Sequence, residues 1–172
     1  MTTTVLNNLT TTQVGALSTT QAQGLTLAQL NALTTTNLDA VNTTKLSTTQ
    51  VAGLTTTSIT NLTTTQVAAF SATQVTALTV AQVNSLTTTE IGAFTVSKAG
   101  ALTATQVAGM TTTNFAALSS TTALPALSVA AIAGLTVAEI NALTTTQGNS
   151  FIAAQIEVMS IAQVSALVTL IG

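Results

Sequence analysis

Cysteine, histidine, tryptophan and tyrosine are absent from this chain of 172 residues, and proline occurs once. Without cysteine there are neither disulfides nor thiolate metal sites. Without cysteine and histidine, the usual nucleophile–base pairs and metal clusters cannot be assembled. We therefore expect no catalytic residues, no metal and no cofactor, and we predict that the protein is not an enzyme.

Charge is also nearly absent. The two cations, Lys45 and Lys98, and four acidic residues make up 3% of the chain and give a net charge of −2, whereas an ordinary globular protein is about a quarter charged. Two cations cannot neutralise a nucleic-acid backbone, so DNA and RNA are poor partners. The surface must consist of Thr, Ser, Asn, Gln and Ala, and so small a net charge favours self-association.

Neither a membrane span nor a secretion signal is visible. Polar Thr, Asn or Gln residues interrupt every stretch of about 18 residues, so we expect no transmembrane helix. The segment Met1–Val5 has neither the basic nor the apolar region of a Sec-type signal. An exported protein would then use another route or a lost leader.

An eight-residue repeat with the consensus Leu-Thr-x-x-Gln-Val-x-Ala runs through the sequence. We number its slots from the Leu, so slot 2 is Thr or Ser, slot 5 is usually Gln, slot 6 is Val, Ile or Leu, and slot 8 is small. Slots 2 and 5 form a capping box, in which the hydroxyl accepts from a first-turn amide and the Gln reaches back. Slots 1 and 6 fall at the two positions of a hydrophobic staple. Each octad therefore predicts the start of a helix.

The next start arrives eight residues later, which limits each helix to about six residues. So short a helix is unstable alone, and it needs its slot 1 and slot 6 side chains buried against neighbouring octads. We predict an all-α solenoid of short helices that turns at every repeat. The alternative is a β-solenoid, favoured by the many Thr and Val but opposed by apolar spacings of five and three, which change faces on a strand.

Slots 3 and 4 hold Thr-Thr in many octads, but others pair an aliphatic residue with Ala or Ser. The aliphatic slot 3 residues are Leu27, Val80, Val96, Val129, Val137 and Ile161. This paired change indicates a face packed against another layer, another subunit or a cap; neutral drift on a tolerant surface is the alternative. We take these six residues as candidate assembly contacts, together with Lys45 and Lys98, which could pair with carboxylates across the stack or between subunits.

Two phase breaks interrupt the repeat, near residues 41–46 and 119–127. The second contains Pro125, which is tolerated only in the first turn of a short helix. We expect both breaks to be corners or loops within a single solenoid over residues 1–172. The segment 151–172 has fewer hydroxyls, and it is predicted to be a longer amphipathic helix that caps the array.

The acidic residues fit structural positions. Glu90 and Glu139 replace Gln in slot 5, where each can complete an acidic capping box. Asp39 and Glu157 lie in slot 7, which we expect to face solvent.

The Leu-Thr-x-x-Gln-Val-x-Ala octads, from Leu9 to about Leu143, resemble Thr-rich repeat stretches of large bacterial surface and secreted proteins. The resemblance implies an adhesive or structural role outside the cell and no specific activity. Together with the missing charge, it favours a protein that polymerises with itself into a filament, sheet or surface layer. The alternatives are an ice-binding module that uses regular Thr arrays and an adhesin that binds glycans.

Overall fold

The computed structural model describes residues 2–172, and within that range all regular structure is helical. The predicted helical solenoid is therefore confirmed, and the described residues contain no strand for a β-solenoid. The chain divides into two compact units, one extending to Leu78 and the other covering Thr79–Gly172.

The first unit contains nine short α-helices and one 3₁₀ helix, η1, among its described residues. Their bounds are α1 Thr3–Asn7, α2 Thr11–Gly15, α3 Thr19–Gln23, α4 Leu27–Asn31, α5 Thr35–Ala40, η1 Thr43–Lys45, α6 Thr48–Ala52, α7 Thr56–Thr60, α8 Thr64–Ala68 and α9 Ala72–Ala77. The second unit contains α10 Val80–Ser85, α11 Thr88–Gly92, α12 Val96–Gly100, α13 Ala104–Gly109, α14 Thr112–Ala116, η2 Leu124–Ala126, α15 Val129–Ile132, α16 Val137–Asn141, α17 Thr145–Gly148, α18 Ala153–Glu157 and α19 Ile161–Ile171.

Helix starts follow the octad as predicted. At α8, the Thr63 hydroxyl accepts from Gln66 N at 3.2 Å, and Gln66 Oε1 accepts from Thr63 N at 2.9 Å. Helix ends also follow it, because the slot 1 amide donates back to the slot 6 carbonyl, as from Phe70 to Val67 at 3.1 Å. One octad therefore both closes a helix and begins the next.

Each unit coils with three elements per turn. In the first unit α1 contacts α4, α2 contacts α5, α3 contacts η1 and α6 contacts α9. In the second unit α10 contacts α13, α12 contacts η2 and α16 contacts α19. Every one of these partners is three elements further along the chain when η1 and η2 are counted. A helix therefore stacks on the helix that lies one turn earlier.

The core consists of slot 1 and slot 6 side chains. Ile91, Val107 and Ile140 at slot 6 are fully buried, and Leu102 at slot 1 is 2% exposed. Burying a side chain of this size contributes about 1.5–3 kcal/mol. This burial stabilises helices of four to six residues that would not persist alone.

A second use of the slot 5 amide joins successive turns. Gln66 Nε2 donates to the backbone carbonyls of Leu38 and Val41, both at 2.8 Å. These carbonyls flank the bend between α5 and η1. We call such a bend between two successive helices a corner. The same pairing recurs for Gln50 with Ala22 and Leu25, Gln74 with Thr43 and Leu46, Gln147 with Ala116 and Leu118, Gln155 with Leu124 and Leu127, and Gln163 with Ile132 and Leu135. Each Gln thus caps its own helix with oxygen and binds an earlier turn with nitrogen.

In three octads slot 5 holds a polar side chain that is too short for the box, namely Asn37, Ser58 or Asn114. In each, an Asn at slot 7 one turn earlier accepts from the helix-start amide instead: Asn7 from Thr34, Asn31 from Thr55 and Asn84 from Thr111, at 2.8–3.0 Å. Asn37 and Asn114 still donate to corner carbonyls of the previous turn. The link between turns is therefore retained where the capping box is lost.

Each phase break contains a short 3₁₀ helix, η1 or η2, and in the second break a turn at residues 120–123 precedes η2. η1 and η2 each take the place of one helix in a three-element turn, against α3 and α12 respectively. Pro125 is the second residue of η2, within the first helical turn, where a missing amide hydrogen is tolerated.

The C-terminal segment differs from the single helix expected over 151–172. It contains an ordinary short helix, α18, followed by the 11-residue α19. α19 stacks on α16 and also contacts α17. Its last turn fills the space beside Gly148, where an added Cβ would lie within 2.7 Å of Ile171 and 2.9 Å of Leu170.

Replacing Gln66 with Met tests the amide link between turns. Gln66→Met removes both the capping oxygen and the donor to Leu38 and Val41, whereas the matched variant Gln13→Met removes only a capping oxygen, because Gln13 Nε2 has no acceptor among residues 2–172. In the variant Leu38 O keeps the Val41 amide as its donor, but Val41 O loses the Gln66 amide. A buried carbonyl without a donor costs about 1–3 kcal/mol. We expect urea unfolding to show Gln66→Met less stable than Gln13→Met by about 2 kcal/mol. Equal losses would contradict the role of the amide.

Candidate assembly surfaces

Four of the predicted assembly contacts lie on the surface of the second unit. Val96 is 60% exposed, Val129 47%, Val137 38% and Ile161 91%. The remainder of their own unit therefore leaves these side chains wholly or partly uncovered. They remain candidates for contact with another molecule.

Leu27 and Val80 have a different environment from the other four. Leu27 packs beside Gly53, where an added Cβ would lie 2.5 Å from its Cδ atoms, and Val80 packs beside Gly109 with the same 2.5 Å approach. Both glycines occupy slot 8 one turn later in the same unit. These two aliphatic side chains therefore meet a neighbouring turn of their own unit.

The two lysines are held by the fold. Lys45 is half-buried and donates through Nζ to the backbone carbonyl of Leu17, so its described partner is a peptide group. Lys98 takes the slot 5 position of α12 and is 7% exposed. Burial lowers the pKa of Lys98. Neither ammonium group is displayed as an open surface charge.

Five further aliphatic side chains are exposed in the C-terminal segment 151–172, and the repeat did not single them out. They are Ile152, Ile156, Val158, Val168 and Ile171, each 37–59% exposed. By contrast, the first unit exposes only Val5 and Leu27 as large aliphatic side chains among its described residues. The available sequence signal was the degraded repeat, since Ile152 replaces the hydroxyl that every other helix start in α16–α19 carries.

The N-terminal end forms an open cavity lined by slot 1 and slot 5 side chains. The lining residues are Leu9, Gln13, Leu17, Gln21, Gly24, Leu25 and Gln29. Gln13 and Gln21 complete capping boxes with their oxygen atoms. The Nε2 groups of Gln13 and Gln21 have no acceptor in the described part of the chain. In later turns the Nε2 group of a slot 5 Gln donates to corner carbonyls, as that of Gln66 does.

Glu139 is the buried acid of the second unit, at 1% exposure. Its Oε2 accepts from the Thr136 amide and hydroxyl, both at 2.7 Å, as the acidic capping box predicted. Its Oε1 is buried without a hydrogen-bond partner among residues 2–172. Burial raises the pKa of Glu139, and the Thr136 hydrogen bonds partly oppose that rise. Folding therefore shifts the titration of this carboxyl to higher pH than in the unfolded chain.

The raised pKa of Glu139 predicts a stability that depends on pH. A carboxyl with a raised folded pKa contributes fully below its unfolded pKa, near 4.3, and loses that contribution as pH rises through the folded pKa. Glu139→Gln cannot ionise, so its advantage over the parent should grow from pH 4 to pH 8, by about 1.4 kcal/mol per unit of pKa elevation. Thermal unfolding across this range measures it, with Glu157→Gln as the exposed control. If the difference in stability between Glu139→Gln and the parent stays constant with pH, the prediction is wrong.

No cluster of three or more acidic side chains that could hold a metal occurs among residues 2–172. No described helix is both long and apolar enough to cross a membrane. Comparison of the chain with protein-family models, with curated proteins and with solved structures finds no match in any of the three.

Proposed function

We propose that this repeat protein is a structural protein that assembles with itself into an extracellular filament, sheet or surface layer. The observation that carries the proposal is the set of exposed aliphatic side chains after residue 151, on a surface with almost no charge. Large exposed aliphatic groups that lie together are typical of interaction sites. The near-absence of charge removes the repulsion that keeps ordinary proteins apart.

The location is part of the same proposal. The likeness of the octads to repeat stretches of bacterial surface proteins supports a bacterial protein at or outside the cell surface. A surface of hydroxyls and amides supports close packing of many copies, because it offers hydrogen bonds without the cost of removing ions from water. No catalytic step belongs to this role.

Ile161 provides the direct test, because its side chain is 91% exposed at slot 3, where many octads carry Thr. We expect the parent protein to form assemblies that grow with concentration in light scattering and sedimentation velocity. Ile161→Thr should weaken association roughly tenfold, since burying an Ile contributes about 1.5–3 kcal/mol. Val80→Thr is the control at the same slot, because Val80 is half-buried and packs beside Gly109 in its own unit. A parent protein that stays monomeric at high concentration sinks the proposal.

Ice binding is the second candidate, and one side of the first unit favours it. The Thr pairs 11–12, 35–36 and 56–57 begin α2, α5 and α7, which follow one another at intervals of three elements, and all six side chains are exposed. These Thr pairs occupy slots 3 and 4 of helices one turn apart, without an aliphatic interruption, and could therefore present hydroxyl and methyl groups at regular intervals.

Thermal hysteresis tests this second candidate. If the array binds ice, the parent protein should lower the freezing point below the melting point and shape ice crystals, and Thr35→Lys in the middle pair should abolish both effects. Thr64→Lys, on α8 outside the three stacked pairs, is the control of equal charge. Absence of hysteresis in the parent would dismiss ice binding.

A further inference from the structure

We propose that Glu139 is a proton-operated link between two turns of the second unit. In its neutral form the carboxyl O–H donates to the backbone carbonyl of Met110, at the corner between α13 and α14, and ionisation breaks this hydrogen bond. The link joins parts of one chain, so the inference does not depend on the proposed self-assembly.

The register of slot 5 side chains locates the backbone that faces Glu139. Gln147 in α17 donates to the corner after α14, Gln155 in α18 to the corner after η2, and Gln163 in α19 to the corner after α15. Each of these helices is the fourth element after the corner that it binds. α16 is the fourth element after the corner that follows α13, and it stacks on α14, the helix that begins at that corner.

The carboxyl of Glu139 is placed like the amide of a slot 5 Gln. Its Oε2 takes the capping position, where it accepts from Thr136 N at 2.7 Å. Oε1 therefore takes the position of the amide nitrogen, which in a Gln donates to the slot 6 and slot 1 carbonyls of the corner. In the corner after α13 these two carbonyls belong to Val107 and Met110.

Two buried oxygen atoms at this place lack a hydrogen bond. Glu139 is 1% exposed, and its Oε1 has no partner among residues 2–172. Met110 is 6% exposed, and its carbonyl accepts no hydrogen bond from the described residues, whereas Val107 O accepts from Met110 N at 3.1 Å. Two acceptors cannot bond to each other, but a neutral carboxyl carries one O–H donor. A proton on Oε1 therefore satisfies both atoms with one hydrogen bond.

The elements around α16 carry no charged side chain that could take the place of the proton. The charged side chains of the second unit are Glu90, Lys98, Glu139 and Glu157. None of the other three lies in α14 or α19, which stack on α16, or in α13, α15 and α17. A buried carboxylate without a cation is strongly disfavoured, and burial accordingly raises the pKa of Glu139.

Ionisation should loosen the second unit at α16. An ionised Oε1 faces two carbonyl oxygens, and the repulsion is relieved when α16 moves away from the corner and water enters. α16 also carries Val137, and α19, which stacks on it, carries Ile161. The proton therefore controls the order of the part of the unit that holds these two exposed aliphatic side chains.

Carbonyl carbon shifts, measured by NMR as a function of pH, test the hydrogen bond. We expect the Met110 carbonyl and the Glu139 carboxyl to titrate with one midpoint, above the value of about 4.3 for a free Glu. Glu139→Gln keeps a donor at every pH, so its Met110 signal should stay constant. Glu139→Met removes the donor, so its Met110 signal should also be constant but displaced. Glu157→Gln, which alters an exposed carboxyl in α18, should leave the Met110 titration as in the parent.

Hydrogen exchange measures the loosening itself. The exchange rates of the Met110 and Ile140 amides in the parent are divided by those in Glu139→Gln at the same pH. We expect this ratio to rise by up to tenfold per pH unit from about pH 4.3 to the folded midpoint and then to level off. The ratio for Val51, in the first unit, should stay constant, because the release is confined to the second unit.

Three results would overturn the proposal. If the Met110 signal does not change while Glu139 titrates, the proton is not shared with that carbonyl. If Glu139 titrates like a free carboxyl, folding does not hold it in the neutral form. If sodium or calcium chloride restores the acidic Met110 signal at alkaline pH, a cation and not a proton fills the site. Should Glu139→Met fail to fold, the comparison of the parent with Glu139→Gln decides alone.

Discussion

The two-sided amide of the slot 5 Gln is the interaction on which the coil depends. A five-residue helix leaves more terminal backbone groups unsatisfied than it forms internal hydrogen bonds, so a stack of such helices fails unless its ends are satisfied. Gln66 satisfies a helix-start amide with Oε1 and two corner carbonyls with Nε2. One side chain thus fixes where a helix begins and which earlier turn lies beneath it. The apolar slots supply the stabilisation, while the amide supplies the register.

The asparagine substitutions show how the link between turns is kept when the slot 5 side chain is too short for the capping box. When Asn114 replaces Gln, its shorter side chain still donates to Val83 and Leu86. The helix-start amide of Thr111 is then satisfied by Asn84 from the turn before. Two residues, Asn114 and Asn84, thus make the hydrogen bonds that a single slot 5 Gln makes elsewhere: one to the helix-start amide and one to the carbonyls of an earlier turn. A buried polar group left without a partner costs about 1–3 kcal/mol, which is sufficient reason for such paired changes.

Much of the local structure followed from the octad, because caps and staples operate within eight residues. Helix starts at Thr63 and Thr136, the helical class and the burial of slots 1 and 6 were all predictable. The number of elements per turn was not, since a period of eight contains no information about which octads stack. One signal was present: Gln and Glu serve a capping box equally well, yet slot 5 is usually Gln. That preference indicates a use for the amide nitrogen, and the two acids, Glu90 and Glu139, are the exceptions.

The candidate surfaces were less predictable, because exposure depends on the neighbouring turn. Leu27 and Ile161 occupy the same slot and look equivalent in the sequence, but Leu27 packs beside a glycine one turn later and is 39% exposed, whereas Ile161 is 91% exposed. In a repeat array, a residue is buried only when another turn follows or precedes it. The slot therefore fixes the chemistry of a residue, while its burial depends on the residue that the neighbouring turn places beside it, as Gly53 lies beside Leu27.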